Sequence, residues 1–387
     1  MALLEIGALA AADRAVDLGP EHPSRAGLVR FHVSTDGGGP QALITRVDIQ
    51  PGLMHRGAEK LFEVRDYRQV LMLADRHDWQ APFVGELGVA LTCERLLGLV
   101  PPTRATVLRT LLAEVARLQS HLGYLTFVPF HQRCPEVAAL VREARDRGRD
   151  LMMIWTGNRL HPMINRLGGL ASDVGPEWFR ALDEWLALLD RVTNRMAGLM
   201  DEDSWQSAAG IAPVDGDIAR RYGLSGPTVR AAGILLDLRT TTTMLDYAQI
   251  GADEVLAVNP DAQANAQQQR GTASDRFRQW LVELAQSAQL VRRSSMRARE
   301  VTGPVNVPLS KIIKLPDAEE WMEFEAPLGV AGFHLVSRGG TTPWRLKLRT
   351  PSFAQVNALH TLLVGVPLDR VALVVASMGY TVGDLDK

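Results

Sequence analysis

Residues 28–50, LVRFHVSTDGGGPQALITRVDIQ, alternate apolar and polar positions on either side of Asp36-Gly37-Gly38-Gly39. Alternation marks strands with one buried face, and a glycine-rich turn between two such runs predicts a β-hairpin. From about residue 57 the period lengthens. Leu108, Leu111, Leu112, Val115, Leu118, Leu122 and Leu125 recur every three or four residues, which places them on one buried helix face. The same spacing returns over 178–200 (Phe179, Leu182, Trp185, Leu188, Val192, Met196) and over 276–300. Gly168-Gly169 and Gly226-Pro227 punctuate these stretches. The polar, Ala- and Gln-rich segment 252–274 predicts a surface excursion. From Met322 to Pro351 the chain alternates again, with Arg338-Gly339-Gly340 at the turn of a second hairpin. The pattern predicts an α+β, mainly α chain. An N-terminal β-hairpin region covers 1–56, a helical-bundle core 57–310, and a C-terminal hairpin and helix over 311–387 return to that core as one integrated domain.

Composition narrows the function classes. The 42 Lys and Arg against 44 Asp and Glu leave a net charge of −2, which argues against a nucleic-acid partner held by a basic surface. Two cysteines, Cys93 and Cys134, exclude a disulfide framework and a four-thiolate metal site within the chain, and point to a reducing compartment. The first twenty residues carry Glu5, Asp13 and Arg14 and lack a basic leading segment, so they are not read as a signal peptide. The most apolar stretch, LLVGVPLDRVALVVASMGY, is cut by Asp369 and Arg370, so the expectation is a chain that does not cross a membrane but can sit on a membrane partner.

Candidate chemistry lies in polar turns: His22-Pro23-Ser24, His55-Arg56-Gly57, Asp75-Arg76-His77-Asp78 and Arg159-Leu160-His161. A histidine before proline in a turn is usually a structural hydrogen bonder. Glu114, Arg117 and His121 share a helix face, where the ordinary expectation is a solvated ion-pair stripe. There is no GxGxxG after a strand, no Walker loop, no GxSxG and no HExxH, so dinucleotide binding by this chain itself is not expected. The residues alone lead to a helical protein with several His/Arg turns.

Longer runs carry a resemblance. GPEHPSRAG (19–27), LMHRGAEKLFE (53–63), LADRHDW (73–79), CERLLG (93–98), AEVARLQSHL (113–122), TGNRLHPMINRLGG (156–169), YGLSGPTVRAAGILLDLR (222–239) and the stretch 324–359 resemble the 49-kDa, or D-type, subunit family of respiratory complex I, the NADH-quinone oxidoreductase. That family is related to nickel–iron hydrogenase large subunits. The resemblance implies a hydrogenase-large-subunit-like helical bundle with peripheral β-hairpins and no redox cofactor bound by the chain itself. It implies a partner small subunit carrying a 4Fe–4S cluster, other peripheral-arm and membrane subunits, quinone as substrate, and NADH used by the whole complex. Quinone reduction would be coupled to proton translocation, at the cytoplasmic face of the cell membrane.

Carried over by position, His161 and Arg56 are implied to lie near the partner's cluster, where a cation or hydrogen-bonding imidazole stabilises the reduced state. The quinone-cavity positions are His22, Ala26, Trp79 and His131, and here the chain departs from the family. Where the family runs HPxxHG, this chain has Ala26 in place of the second histidine. Where it runs DRLDY, this chain reads DRHDW, with Trp79 for the tyrosine. The aspartate that partners the lost histidine aligns with His131. A tyrosine hydroxyl donates and titrates, whereas an indole N–H only donates. The implied site has lost the family's proton-donating pair, with His22, His77 or His131 as possible substitutes. A paralogue with a structural or assembly role is the alternative reading. The hydrogenase branch, which needs paired CxxC motifs, is excluded by the two unpaired cysteines.

Overall fold

The computed structural model describes residues 3–4, 14–19, 22–24, 29–257 and 271–387. An antiparallel sheet opens the chain: β1 (Leu3–Leu4), β2 (Arg14–Val16), β3 (Arg30–Thr35) and β4 (Ile44–Gln50), in that order. The expected hairpin is β3–β4, with Phe31 opposite Ile49 and Val33 opposite Val47, so that four apolar side chains share the buried face. Two strands before it extend the sheet beyond what the alternation at 28–50 indicates.

Helices α1 (Ala58–Phe62), α2 (Tyr67–Ala74), α3 (Pro82–Leu97), α4 (Thr103–Leu125), α5 (Phe127–His131), α6 (Pro135–Thr156) and α7 (Pro176–Met200) follow. Their ends are written locally. Asp66 caps α2 by accepting from the Arg68 and Gln69 amides, while α3, α6 and α7 begin with proline. Between α6 and α7 lies a short strand pair, β5 (Asn165–Arg166) and β6 (Gly169–Leu170). Short helices α8 (Asp203–Ala209), α9 (Gly216–Tyr222), α10 (Pro227–Arg230) and α11 (Ala252–Ala257) lead to α12 (Ala273–Glu300), capped by a Thr272–Asp275 box. Residues 258–270 of the polar segment lie outside the described residues. The segment's two ends are not an excursion, because Ala252, Val255 and Ala273 are buried helix residues.

The C-terminal β region is a three-stranded meander of β7 (Asp317–Ala326), β8 (Gly329–Arg338) and β9 (Arg345–Arg349). Arg338-Gly339-Gly340 turns β8 into β9, while β7 meets β8 across Pro327-Leu328. Helices α13 (Pro351–Leu362), α14 (Val371–Met378) and α15 (Val382–Leu385) complete the chain. One apolar core joins α2–α4, α6, α7, α12 and the meander; a second joins the N-terminal sheet to α13–α15. Close approach is set by glycine: a Cβ on Gly85 would lie 2.1 Å from the Ala74 carbonyl oxygen, and one on Gly88 would lie 2.1 Å from the Phe333 ring.

The Glu114–Arg117–His121 stripe is not solvated. All three are buried, because α4 lies at the bundle centre against α12 and the meander. Arg117 donates to Glu114 and to the Glu325 and Ala326 carbonyls. Arg239 reaches Glu114 at 3.3 Å and Asp237 at 2.6 Å, and the Tyr247 hydroxyl donates to Glu114 at 2.6 Å. Arg230 grips Glu283 with two N–H groups (2.7 and 3.0 Å) and Glu325 with a third (2.7 Å), while His121 faces Glu283 at 3.4 Å. Three guanidinium groups thus share four carboxylates in the interior. Burial pushes the Glu325 carboxyl up, whereas in Glu283 the attraction of Arg230 overcomes burial and holds the carboxyl well below its ordinary value.

Candidate functional site

The turn that ends α2, Asp75-Arg76-His77-Asp78-Trp79, organises the polar chemistry of one side of the molecule. Asp75 is fully buried and its Oδ1 lies 2.5 Å from His161 Nδ1. Burial raises the Asp75 carboxyl, and the hydrogen bond to His161 pulls it back. The His161 loop is pinned from the next residues as well. Glu86 accepts the Asn165 amide at 2.8 Å. A buried, bidentate Glu94–Arg109 pair (2.8 Å twice) binds the Asn165 side chain, the Arg166 and Gly169 carbonyls and the Gly168 amide. Burial pushes the Glu86 carboxyl up to about 8.

Arg56 and Trp79, far apart in sequence, line one cavity of 230 Å³. Its walls are Met54, Ala58, Leu61, Phe62, Leu73 and Trp79; its polar groups are Arg56, Arg76, His77, Asp386 and Lys387. The Asp386 carboxylate fixes the Arg56 loop by accepting the Gly52 and Met54 amides at 2.7 and 2.9 Å. Arg56 itself is exposed and has no hydrogen bond or ion pair among the described residues. The cavity is apolar with a cationic rim.

His22 and His131 line a different cavity, of 890 Å³, which has no lining residue in common with the first. His22 is buried, and both ring nitrogens are engaged: Nε2 with the Ala372 carbonyl and Nδ1 with the Ser24 amide, each at 3.2 Å. Burial, only partly offset by the Ala372 bond, lowers it to about 4. That is the behaviour of the structural hydrogen bonder expected of a His–Pro turn. His131 stacks on Phe127 with centroids 5.5 Å apart and meets Trp205 edge-on, and burial lowers it too. The four positions that the resemblance implies for a quinone cavity are thus distributed: Trp79 on one cavity, His22 and His131 on another, and Ala26 outside the described residues. Among the described residues no group of three or more His, Cys, Asp or Glu is arranged to hold a metal ion. Cys93 is buried and Cys134 is on the wall of the larger cavity.

Residues 136–313 and 307–387 match the family described as the respiratory-chain NADH dehydrogenase 49 Kd subunit. The chain is 38% identical over 377 residues to a D-type NADH-quinone oxidoreductase subunit of Salinispora tropica, covering 97% of this chain and 93% of that one. The chain belongs to the 49-kDa subunit family. A D-type NADH-quinone oxidoreductase subunit of Streptomyces coelicolor is 36% identical (98% of this chain, 97% of the relative), and that of Carboxydothermus hydrogenoformans is 31% identical (96% and 98%). A solved chain from the membrane-bound sulfane sulfur reductase, an archaeal respiratory membrane complex, shares the fold with a TM-score of 0.86 at 24% identity, over 98% of this chain and all of that one. The α+β, mainly α architecture expected from the sequence is therefore the family's, and the chain is a subunit of an oxidoreductase complex. No described helix is long and apolar enough to cross a membrane.

Membership does not account for every residue at the site. Arg76, Asp386 and Lys387 line the Trp79 cavity without having been picked out by position, and Asp75 fixes His161. Asp75 and Arg76 stand in the Asp75-Arg76-His77-Asp78 turn that the sequence already marks as candidate chemistry. Asp386 and Lys387 are not so marked, because only the fold brings the C-terminal residues against residues 52–79.

Proposed function

We propose that this chain is the quinone-site subunit of a complex-I-like NADH:quinone oxidoreductase. It would pack at the cytoplasmic membrane face against a small subunit bearing a 4Fe–4S cluster and pass that cluster's electrons to quinone, coupled to proton translocation by membrane subunits. The observation that carries the reading is that Arg56 and Trp79, the family's cluster-side arginine and quinone-side tyrosine positions, line the same apolar, cation-rimmed cavity. An aromatic wall suits a flat ring, and the rim of Arg56, Arg76 and Lys387 favours an occupant that gains negative charge on reduction. His161, oriented by Asp75 on the shoulder of the same turn, suits the cluster side. The occupied nitrogens of His22 and the indole at Trp79 favour the assembly-paralogue alternative, since neither is a titrating donor.

One experiment separates the two. A photoreactive quinone analogue irradiated with the assembled complex is expected to label peptides within Met54–Trp79, with ubiquinone competing and NADH oxidation depending on added quinone. Complex that oxidises NADH with ferricyanide but not with quinone, and carries no label on this chain, is the paralogue.

A further inference from the structure

We propose that His77 transfers protons into the Trp79 cavity and that the buried Asp78–Asp384 carboxylate pair resupplies it, an inference that rests on the quinone-reducing reading above. His77 stands where the family's DRLDY run has leucine. It is buried, with its ring edge-on to Phe62 at 5.7 Å. It lines the 230 Å³ cavity and also a separate 30 Å³ cavity on its inner side, and among the titratable residues lining either cavity it is common to both. The ring bonds the Gly383 backbone, whereas Nε2 is buried and without a hydrogen-bond partner among the described residues. In a neutral ring whose N–H serves the carbonyl, Nε2 carries the lone pair. A buried acceptor left open between two cavities is costly unless a donor visits it.

The inner cavity supplies one. Its 30 Å³ is room for a water or two, and Asp78 and Asp384 line it with Arg349. Both carboxyls are buried, and each has few partners. Asp78 accepts from the Thr381 hydroxyl at 2.8 Å and the Gln80 amide at 3.1 Å, and Asp384 accepts from the Ser352 amide at 3.3 Å. Burial first, then the charge of Asp384, pushes the Asp78 carboxyl up to about 7, so the pair holds a shareable proton at neutral pH. Burial raises the Asp384 carboxyl too, against the pull of Ser352, Lys387 and Arg349, and Tyr124 meets the pair through Thr381 at 3.3 Å. Facing His77, Lys387 and Arg56 disfavour an imidazolium and Glu59 favours it; burial dominates, lowering the ring to about 4. Once protonated, such a ring is a strong acid towards its next acceptor.

The step balances. Quinone takes two electrons from the partner's iron–sulfur cluster and two protons to become quinol. Each proton in turn follows one route: a carboxyl O–H of the pair breaks, water carries the proton to Nε2, and the new N–H breaks as the quinone O–H forms. The pair is then reprotonated from solvent.

The test uses the assembled complex, NADH as donor and decylubiquinone as acceptor, normalised to ferricyanide reduction by the same preparation. His77→Leu, the family's own residue, is expected to lower quinone turnover at least about tenfold. Adding Trp79→Tyr to it, which restores the family's Leu/Tyr combination, is expected to recover most of the loss. Asp78→Asn is expected to shift the pH profile of turnover and to remove the carbonyl stretching band of a protonated carboxyl from the infrared spectrum. His77→Gln repeats the turnover measurement should the leucine variant assemble poorly. Wild-type quinone turnover that His77→Leu and His77→Gln leave unchanged overturns the inference while the quinone reading stands. Absence of quinone turnover in wild type, with ferricyanide reduction intact, overturns that reading and this inference with it.

Discussion

An Arg230→Met substitution is expected to destabilise the folded chain by about 3–5 kcal/mol, enough to remove most of a typical domain's stability. Arg230 lies at the end of α10 and is the group on which α12 and β7 converge. Its guanidinium makes three charge-assisted bonds of 2.7 to 3.0 Å to Glu283 and Glu325 in the interior. The two acids respond differently to its loss. Glu325 is already raised by burial and relieves itself by taking up a proton, whereas Glu283 is held ionised chiefly by Arg230. Most of the penalty therefore comes from Glu283, and Arg230→Met combined with Glu283→Gln is expected to recover part of it. Denaturant midpoints of the two variants check this. A single variant within about 1 kcal/mol of wild type would show that the pair's desolvation cost cancels its attraction.

The second large effect is a dependence on pH set by Glu86. Burial raises its carboxyl from 4.5 to about 8, so the folded chain binds this proton more tightly than the unfolded chain does. The stabilisation is fully present below about 4.5 and is lost as pH rises through about 8, and it amounts to roughly 3–5 kcal/mol over that window. Carboxylates held low by arginines, Asp237 and Glu283 among them, act in the opposite sense in acid. The informative quantity is thus the difference between wild type and Glu86→Gln. The amide keeps an acceptor for Asn165 without a charge to desolvate, so the variant should gain on wild type steadily between about pH 5 and about pH 8. Thermal unfolding across that range measures it, and parallel curves would mean that Glu86 is ionised throughout.

What could be read from the chain depended on how local the cause was. The β3–β4 hairpin follows from alternation around Asp36-Gly37-Gly38-Gly39, a signal confined to a few residues. The meander was only half legible, because Arg338-Gly339-Gly340 advertises its turn, whereas Pro327-Leu328 carries no comparable signal and depends on β7 and β8 pairing along ten residues. Glu114, Arg117 and His121 looked solvated since their partners, Arg239, Glu283 and the Glu325 backbone, arrive from distant elements. The candidate site divides in the same way. Positions inside long runs, such as Arg56, Trp79 and His161, can be proposed from the runs themselves; the pairing of His77 with Gly383 and of Asp78 with Thr381 exists only after folding.

The interior arrangement of Arg117, Arg230 and Arg239 with Glu114, Asp237, Glu283 and Glu325 also bears on how the chain can diverge. None of the three arginines can be exchanged alone without leaving a buried carboxylate short of a partner. A tolerated path to a different core has to replace an arginine and its carboxylate partner at nearly the same time, because losing the arginine alone removes much of the stability the fold requires. Trp79 carries no such constraint: it is half-buried and touches a cavity, and a change there costs packing alone. The same chain is thus locked at its centre and free to change at the Trp79 cavity, which is how a subunit can keep its fold while the lining of one cavity is rewritten.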